Sequence, residues 1–113
     1  MKLYGIVNCN TVKAARAWLD AHGKRYEFID FKKAPPTREL LQRWCGTFGW
    51  ERVLNRRGTT WRMLPADAQG RVNDEKSAIA LMIEKPSVIK RPVLENPEPK
   101  LIGFDEDAYA TLN

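Results

Sequence analysis

One cysteine in this chain stands where a short apolar run meets the start of a helical pattern, and nucleophilic thiol chemistry suits that placement. The stretch reads Lys2-Leu3-Tyr4-Gly5-Ile6-Val7-Asn8-Cys9-Asn10-Thr11-Val12-Lys13. A helix beginning at about Asn10 or Thr11 aims its unpaired amide hydrogens, and the positive end of its dipole, at the Cys9 sulfur. Lys13 and Arg16, one and two turns in, add full positive charge. Such surroundings convert a thiol into a thiolate near neutral pH, and the thiolate is the nucleophile. A thiol pKa lowered by about two units corresponds to about 2.7 kcal/mol of preferential stabilisation of the charged form. The rival role for Cys9 is a packed core thiol, which basic neighbours and a strand-end position argue against.

Three other places carry candidate chemistry. Arg57-Gly58-Thr59-Thr60 reads either as an anion-binding turn of backbone amides and hydroxyls or as a purely structural turn. Arg91, just before Pro92, offers a guanidinium fork suited to planar anions; pairing with a surface carboxylate is its plainer role. Cys45 sits among Leu41, Trp44 and Phe48, which favours core packing. With two cysteines, 36 positions apart, and one histidine, the chain lacks the ligands of a zinc site, and a reducing compartment disfavours a structural disulfide. His22 falls in the last turn of the first helix, where a partly charged imidazole meets the negative helix end.

The chain of 113 residues has the size of one domain, with 43% hydrophobic residues. A packed core is therefore expected rather than disorder. No apolar run approaches the roughly 20 residues that span a bilayer, and no signal peptide precedes the first strand. A cytoplasmic location follows as the expectation. Nineteen basic against 14 acidic residues leave a net charge of +5, which favours anionic small molecules or acidic partner surfaces. The basic residues are dispersed, apart from Lys32-Lys33, Arg56-Arg57 and Lys90-Arg91, and that argues against a nucleic-acid partner.

Residues 2–7 suit a buried strand. Val12, Ala15, Leu19 and His22 mark one face of a helix over 11–22, stopped by Gly23. Residues 26–31 read as a second strand, broken by Lys32-Lys33-Ala34-Pro35-Pro36. Strand, helix, strand implies a parallel pair with a right-handed crossover. Thr37 caps a helix bearing Leu40, Leu41, Trp44, Cys45 and Phe48. Asn73 is expected to cap another, which holds Ile79, Leu81, Met82 and Ile83 and is limited by Pro86. Strand character resumes over 88–94, a turn follows at 96–99, and Leu101-Ile102-Gly103-Phe104 completes an antiparallel hairpin. Asp105 can cap a final short helix.

That order, with a cysteine after the first strand and a proline entering the hairpin, resembles the thioredoxin-like fold of the ArsC/Spx family. The blocks Tyr4-Gly5-Ile6, Asn8-Cys9, Leu54-Asn55, Arg57-Gly58-Thr59-Thr60-Trp61-Arg62, Ile89-Lys90-Arg91-Pro92 and Leu101-Ile102-Gly103-Phe104 are similar to its YffB branch. The resemblance implies an α/β mixed sheet, with a core over 1–34 and 86–113 and a helical insertion over 35–85. It places Cys9 on the nucleophile of arsenate reductases, Arg91 on an anion-binding arginine, and Pro92 on a proline that is typically cis and faces the sulfur. Asn8, Thr11, Lys13 and Arg57 join them as candidate substrate- or anion-binding residues. Two further oxyanion-holding arginines of arsenate reductases align with Asn55 and Gly103, which disfavours arsenate as substrate. Redox-switching Spx proteins carry a second cysteine three positions after the first, where this chain has Val12. The expected activity is therefore thiol–disulfide reduction by one cysteine, with glutathione as co-substrate, no tightly bound cofactor and no metal. The alternative partners are a protein disulfide, or RNA polymerase if the chain is a non-catalytic regulator.

Overall fold

The computed structural model describes residues 1–112. In chain order its elements are β1 (Lys2–Gly5), α1 (Asn10–Ala21), β2 (Glu27–Asp30), α2 (Arg38–Phe48), α3 (Trp50–Val53), α4 (Thr59–Arg62), α5 (Ala66–Gly70) and α6 (Glu75–Glu84). A 3-10 turn (Pro86–Val88), β3 (Val93–Glu95), β4 (Pro99–Ile102) and α7 (Glu106–Tyr109) complete it. The chain divides into two compact units, Met1–Ala34 with the stretch from Arg91 onward, and Pro35–Lys90.

The first unit is built on a four-stranded mixed sheet in the order β2-β1-β3-β4. β1 runs parallel to β2 and antiparallel to β3, and β3 and β4 form an antiparallel pair. The register sets Phe28, Leu3, Leu94 and Leu101 side by side, so they share one face of the sheet. On that face Leu3 and Leu94 join Ala15 and Leu19 of α1, and Tyr109 and Leu112 from the chain's end, in one apolar cluster. Tyr109 is fully buried, and burial pushes its phenol pKa up. Glu95 is a buried carboxylate in β3; it accepts a hydrogen bond from the Tyr4 hydroxyl at 3.0 Å.

In the second unit α2, α3 and α6 pack on one another. Leu41, Trp44 and Cys45 of α2, Val53 of α3, and Ala78, Ile79 and Met82 of α6 are all buried. Thr37 caps α2 by accepting the Leu40 N–H at 3.2 Å. The cap of α6 is Asp74 rather than Asn73. Its Oδ1 accepts the Ser77 N–H at 2.8 Å, while Ser77 Oγ accepts the Asp74 N–H, a reciprocal pair that a residue one position earlier cannot make.

The stretch over 88–94 departs from the expected single strand. Ile89 bridges Leu54, and the Lys90 N–H donates to the Val53 carbonyl at 2.8 Å, so residues 86–90 close the second unit and β3 starts only at Val93. The backbone amides of 89 and 90 are used locally, which leaves none for the sheet.

Gly5 ends β1 against the first turn of α1. A Cβ built there would lie 2.8 Å from Val12 Cγ2, and Val12 is itself fully buried and stiff at χ1. Gly5→Ala is expected to destabilise the protein by about 1–3 kcal/mol through overpacking. Denaturant unfolding of the variant against the parent, at constant m-value, checks this.

Candidate active site

Cys9 is the N-cap residue of α1. Its backbone is extended (φ −135°, ψ 123°), and its carbonyl accepts the Lys13 N–H at 2.9 Å. An N-cap side chain faces the open amides of the first turn. No side chain makes a cap hydrogen bond at this end; the open backbone N–H groups of Val12 and Thr11 favour the anionic sulfur. Cys9 is half-buried, while Asn8 and Val7 before it are exposed.

The antiparallel register delivers the charged partner. Tyr4 is level with Val93, so the chain before β3 arrives beside the carboxyl end of β1, from which the chain leads on to Cys9. Arg91 sits there, half-buried, and its side chain hydrogen-bonds the Cys9 sulfur. The Arg91–Pro92 peptide bond is cis, Pro92 is buried, and its carbonyl accepts the Gly103 N–H at 2.8 Å. Gly103 has φ +74°, a conformation other residues rarely adopt.

These contacts compete with desolvation. Burial by itself raises the Cys9 pKa, but the Val12 amide, the Arg91 hydrogen bond and charge, and the Thr11 amide together outweigh it. The net result is a thiol pKa below the ordinary value. Hydrogen bonds to the charged form and a nearby opposite charge are the two physical routes to such a shift.

The candidate residues therefore fall into distinct groups. Cys9, Thr11 and Arg91 are brought together. Lys13 is exposed and is not among the groups lowering the thiol pKa. Arg16 does not act there either, contrary to the sequence expectation. Its guanidinium lies 4.2 Å from the centroid of the Phe28 ring, and its Nε donates to the Tyr26 hydroxyl at 3.2 Å. The aromatic face on β2 holds the cation more favourably than solvent beside the helix start. Arg57 belongs to the second unit, where it is exposed; its backbone N–H donates to Asn55 Oδ1 at 3.2 Å. Gly58 is close-packed on Asn55 as well, its virtual Cβ 2.9 Å from Asn55 Nδ2.

Cys45 contrasts with Cys9. It is 4% exposed, and burial, with Glu75 nearby, pushes its thiol pKa up to about 11. At neutral pH it is a neutral thiol. Among the described residues, no cluster of three or more His, Cys, Asp or Glu side chains is arranged to hold a metal ion.

A sequence profile of the ArsC family matches residues 4–112. This chain belongs to the ArsC family. The solved structure of a YffB protein is 51% identical and superposes with a TM-score of 0.90 over 96% of this chain and 95% of that one. An arsenate reductase (ArsC) related protein from Brucella melitensis is 45% identical, with a TM-score of 0.78 over 98% and 94% of the two chains. The global transcriptional regulator Spx of Streptococcus agalactiae is 32% identical over 105 residues, covering 88% of this chain and 73% of its own length. The mixed four-stranded sheet with its helices is thus the thioredoxin-like fold of the ArsC family.

The lowered Cys9 pKa sets the expected pH profile of alkylation. The rate follows the thiolate fraction, rising with pH and levelling off above the Cys9 pKa, below where an ordinary thiol levels off. Arg91→Gln removes a contact that favours the anion, so its inflection moves up in pH. Iodoacetamide kinetics on the Cys45→Ser background, where only Cys9 reacts, reads both. Cys45 in the parent stays unmodified until the protein is unfolded.

Proposed function

We propose that this protein is a glutathione-dependent thiol–disulfide reductase in which Cys9 is the nucleophile. The observation that carries this reading is the Cys9 sulfur at the start of α1 beside the Arg91 side chain. There, despite partial burial, the Val12 amide, that side chain and the Thr11 amide lower its pKa. The reaction needs no other thiol from the chain. The Cys9 thiolate attacks the glutathione sulfur of a mixed disulfide, forming a Cys9–glutathione disulfide and expelling the substrate thiolate, which takes a proton from water. A second glutathione thiolate then attacks the bound glutathione sulfur, releasing oxidised glutathione and regenerating the Cys9 thiolate. In the net reaction the mixed disulfide becomes the substrate thiol, and one free glutathione leaves joined to the glutathionyl group as oxidised glutathione. A low-pKa sulfur serves this cycle twice, as attacking group and as leaving group.

Cys45 supports a mechanism with one active cysteine, because a thiol titrating near 11 supplies little thiolate at neutral pH. Arg91 is suited to hold a carboxylate or the developing anion near the sulfur. Arsenate is disfavoured as substrate by the residues aligned with its two further arginines. Asn55 organises the turn through Arg57 and Gly58, and Gly103 occupies a left-handed backbone conformation that an arginine would strain. A second reading, a regulator that binds RNA polymerase without turnover, is favoured by the similarity to a protein named as the regulator Spx. Val12, in place of a second cysteine, speaks against a local disulfide switch in it.

Cys9→Ser is expected to abolish reduction of a glutathionylated substrate, while Cys45→Ser retains most of the parental rate. Coupled consumption of NADPH through glutathione reductase measures both. Mass spectrometry after exposure to oxidised glutathione should find one adduct, on Cys9, removed by reduced glutathione. Turnover in Cys9→Ser, or capture of RNA polymerase by a protein without any turnover, would reject the enzymatic reading.

A further inference from the structure

A second feature of the first unit lies away from the sulfur. The strand order leaves β2 at the edge of the sheet, paired only with β1. The Glu27 N–H donates to the Met1 carbonyl and the Phe31 N–H to the Gly5 carbonyl, at 2.9 and 2.8 Å. In a parallel ladder every second residue turns both backbone groups the other way, here Phe28 and Asp30. The Phe28 N–H and C=O and the Asp30 N–H therefore face outward. Asp30 ends the row, since its carbonyl accepts from Lys33 and Ala34.

Beside this edge lies a surface cavity of about 420 Å³, lined by Arg16, Asp20, Lys24, Arg25, Tyr26 and Phe28. Three cations against one carboxylate make it positive. Arg16 is held in place by the Phe28 ring and the Tyr26 hydroxyl, and Lys24 Nζ donates to the Leu112 carbonyl at 3.4 Å. Among the described residues, none of the three cations is in an ion pair. Asp30, on the edge itself, has its Oδ1 engaged by the Lys32 N–H at 2.9 Å.

We propose that the outer edge of β2 and this groove form a docking site for an extended acidic segment of a partner protein, which adds to the sheet as a further strand. The alternation of outward N–H and C=O groups suits a peptide backbone, whereas a small anion has no use for the Phe28 carbonyl. Strand addition draws affinity from main-chain hydrogen bonds and selectivity from side-chain sites flanking the edge. Alternate side chains of an added strand point to opposite faces. Carboxylates on the α1 face then meet the three cations, while apolar side chains between them lie beside Ile29 on the other face. Opposite charges steer such an encounter. The site is independent of thiol turnover.

The test uses the full-length Cys9→Ser protein, which removes thiol exchange, and a synthetic peptide alternating Glu with Val. Calorimetry is expected to show saturable binding that weakens about tenfold or more between low and high salt. Amide hydrogen exchange read by NMR should slow at Phe28 and Asp30. Arg16→Gln and Arg25→Glu should each weaken binding about tenfold with the circular dichroism spectrum unchanged; Arg25 is exposed, so its variant separates docking from folding. A peptide N-methylated at alternate residues should not bind. Absence of saturation, unchanged exchange at Phe28 and Asp30, or full affinity in Arg25→Glu would overturn the proposal. So would equal binding of the N-methylated peptide, which would mark the groove as a charged surface only.

Discussion

The described site depends on easing the ionisation of one sulfur that is partly withdrawn from water. Desolvation works against this, and a half-buried thiol left to itself would titrate late. Two amides at the start of α1 and one guanidinium reverse the balance. All three come from places the fold fixes: the first turn of a twelve-residue helix, and the residue preceding a buried proline. The charge is stabilised by groups already in position, with little reorganisation left to do when a disulfide arrives.

That positioning explains the architecture around it. β1 is short, but its burial on the face shared with α1 and α7 makes it the stem from which the cysteine projects. Gly5 permits Val12 to approach, which draws the first turn of α1 against the end of the strand. The antiparallel pairing of β3 with β1 then carries Arg91 to the same end. Two segments more than eighty residues apart in sequence meet at the sulfur because one strand register aligns them.

Much of this was legible in the sequence where the signal is local. Cys9 at the strand-to-helix junction, the face of α1, the Thr37 cap and the antiparallel hairpin all follow from period, caps and breakers. What escaped were choices made by tertiary neighbours. Arg16 has helix spacing consistent with a role near the thiol, but an aromatic ring on β2 claims it. Ile89 has strand composition, yet it bridges Leu54 and leaves the sheet to begin at Val93. α5 has no apolar periodicity to announce it. The cationic groove draws on α1, the loop after it and β2, so no contiguous motif displays it. The family resemblance supplied the pairing of Cys9 with Arg91, which spacing alone cannot reveal.

Cys45 has a consequence for what oxidation leaves behind. A protein with two ionised thiols can record oxidant as an internal bridge and wait, unchanged in mass apart from two hydrogens. This one keeps its other sulfur protonated within the helical unit. With little thiolate at Cys45, a disulfide formed at Cys9 in the proposed reaction would draw its second sulfur from the surroundings. Under that proposal the abundance and identity of local thiols, rather than the chain's own sequence, would decide which conjugate accumulates and how long it lasts.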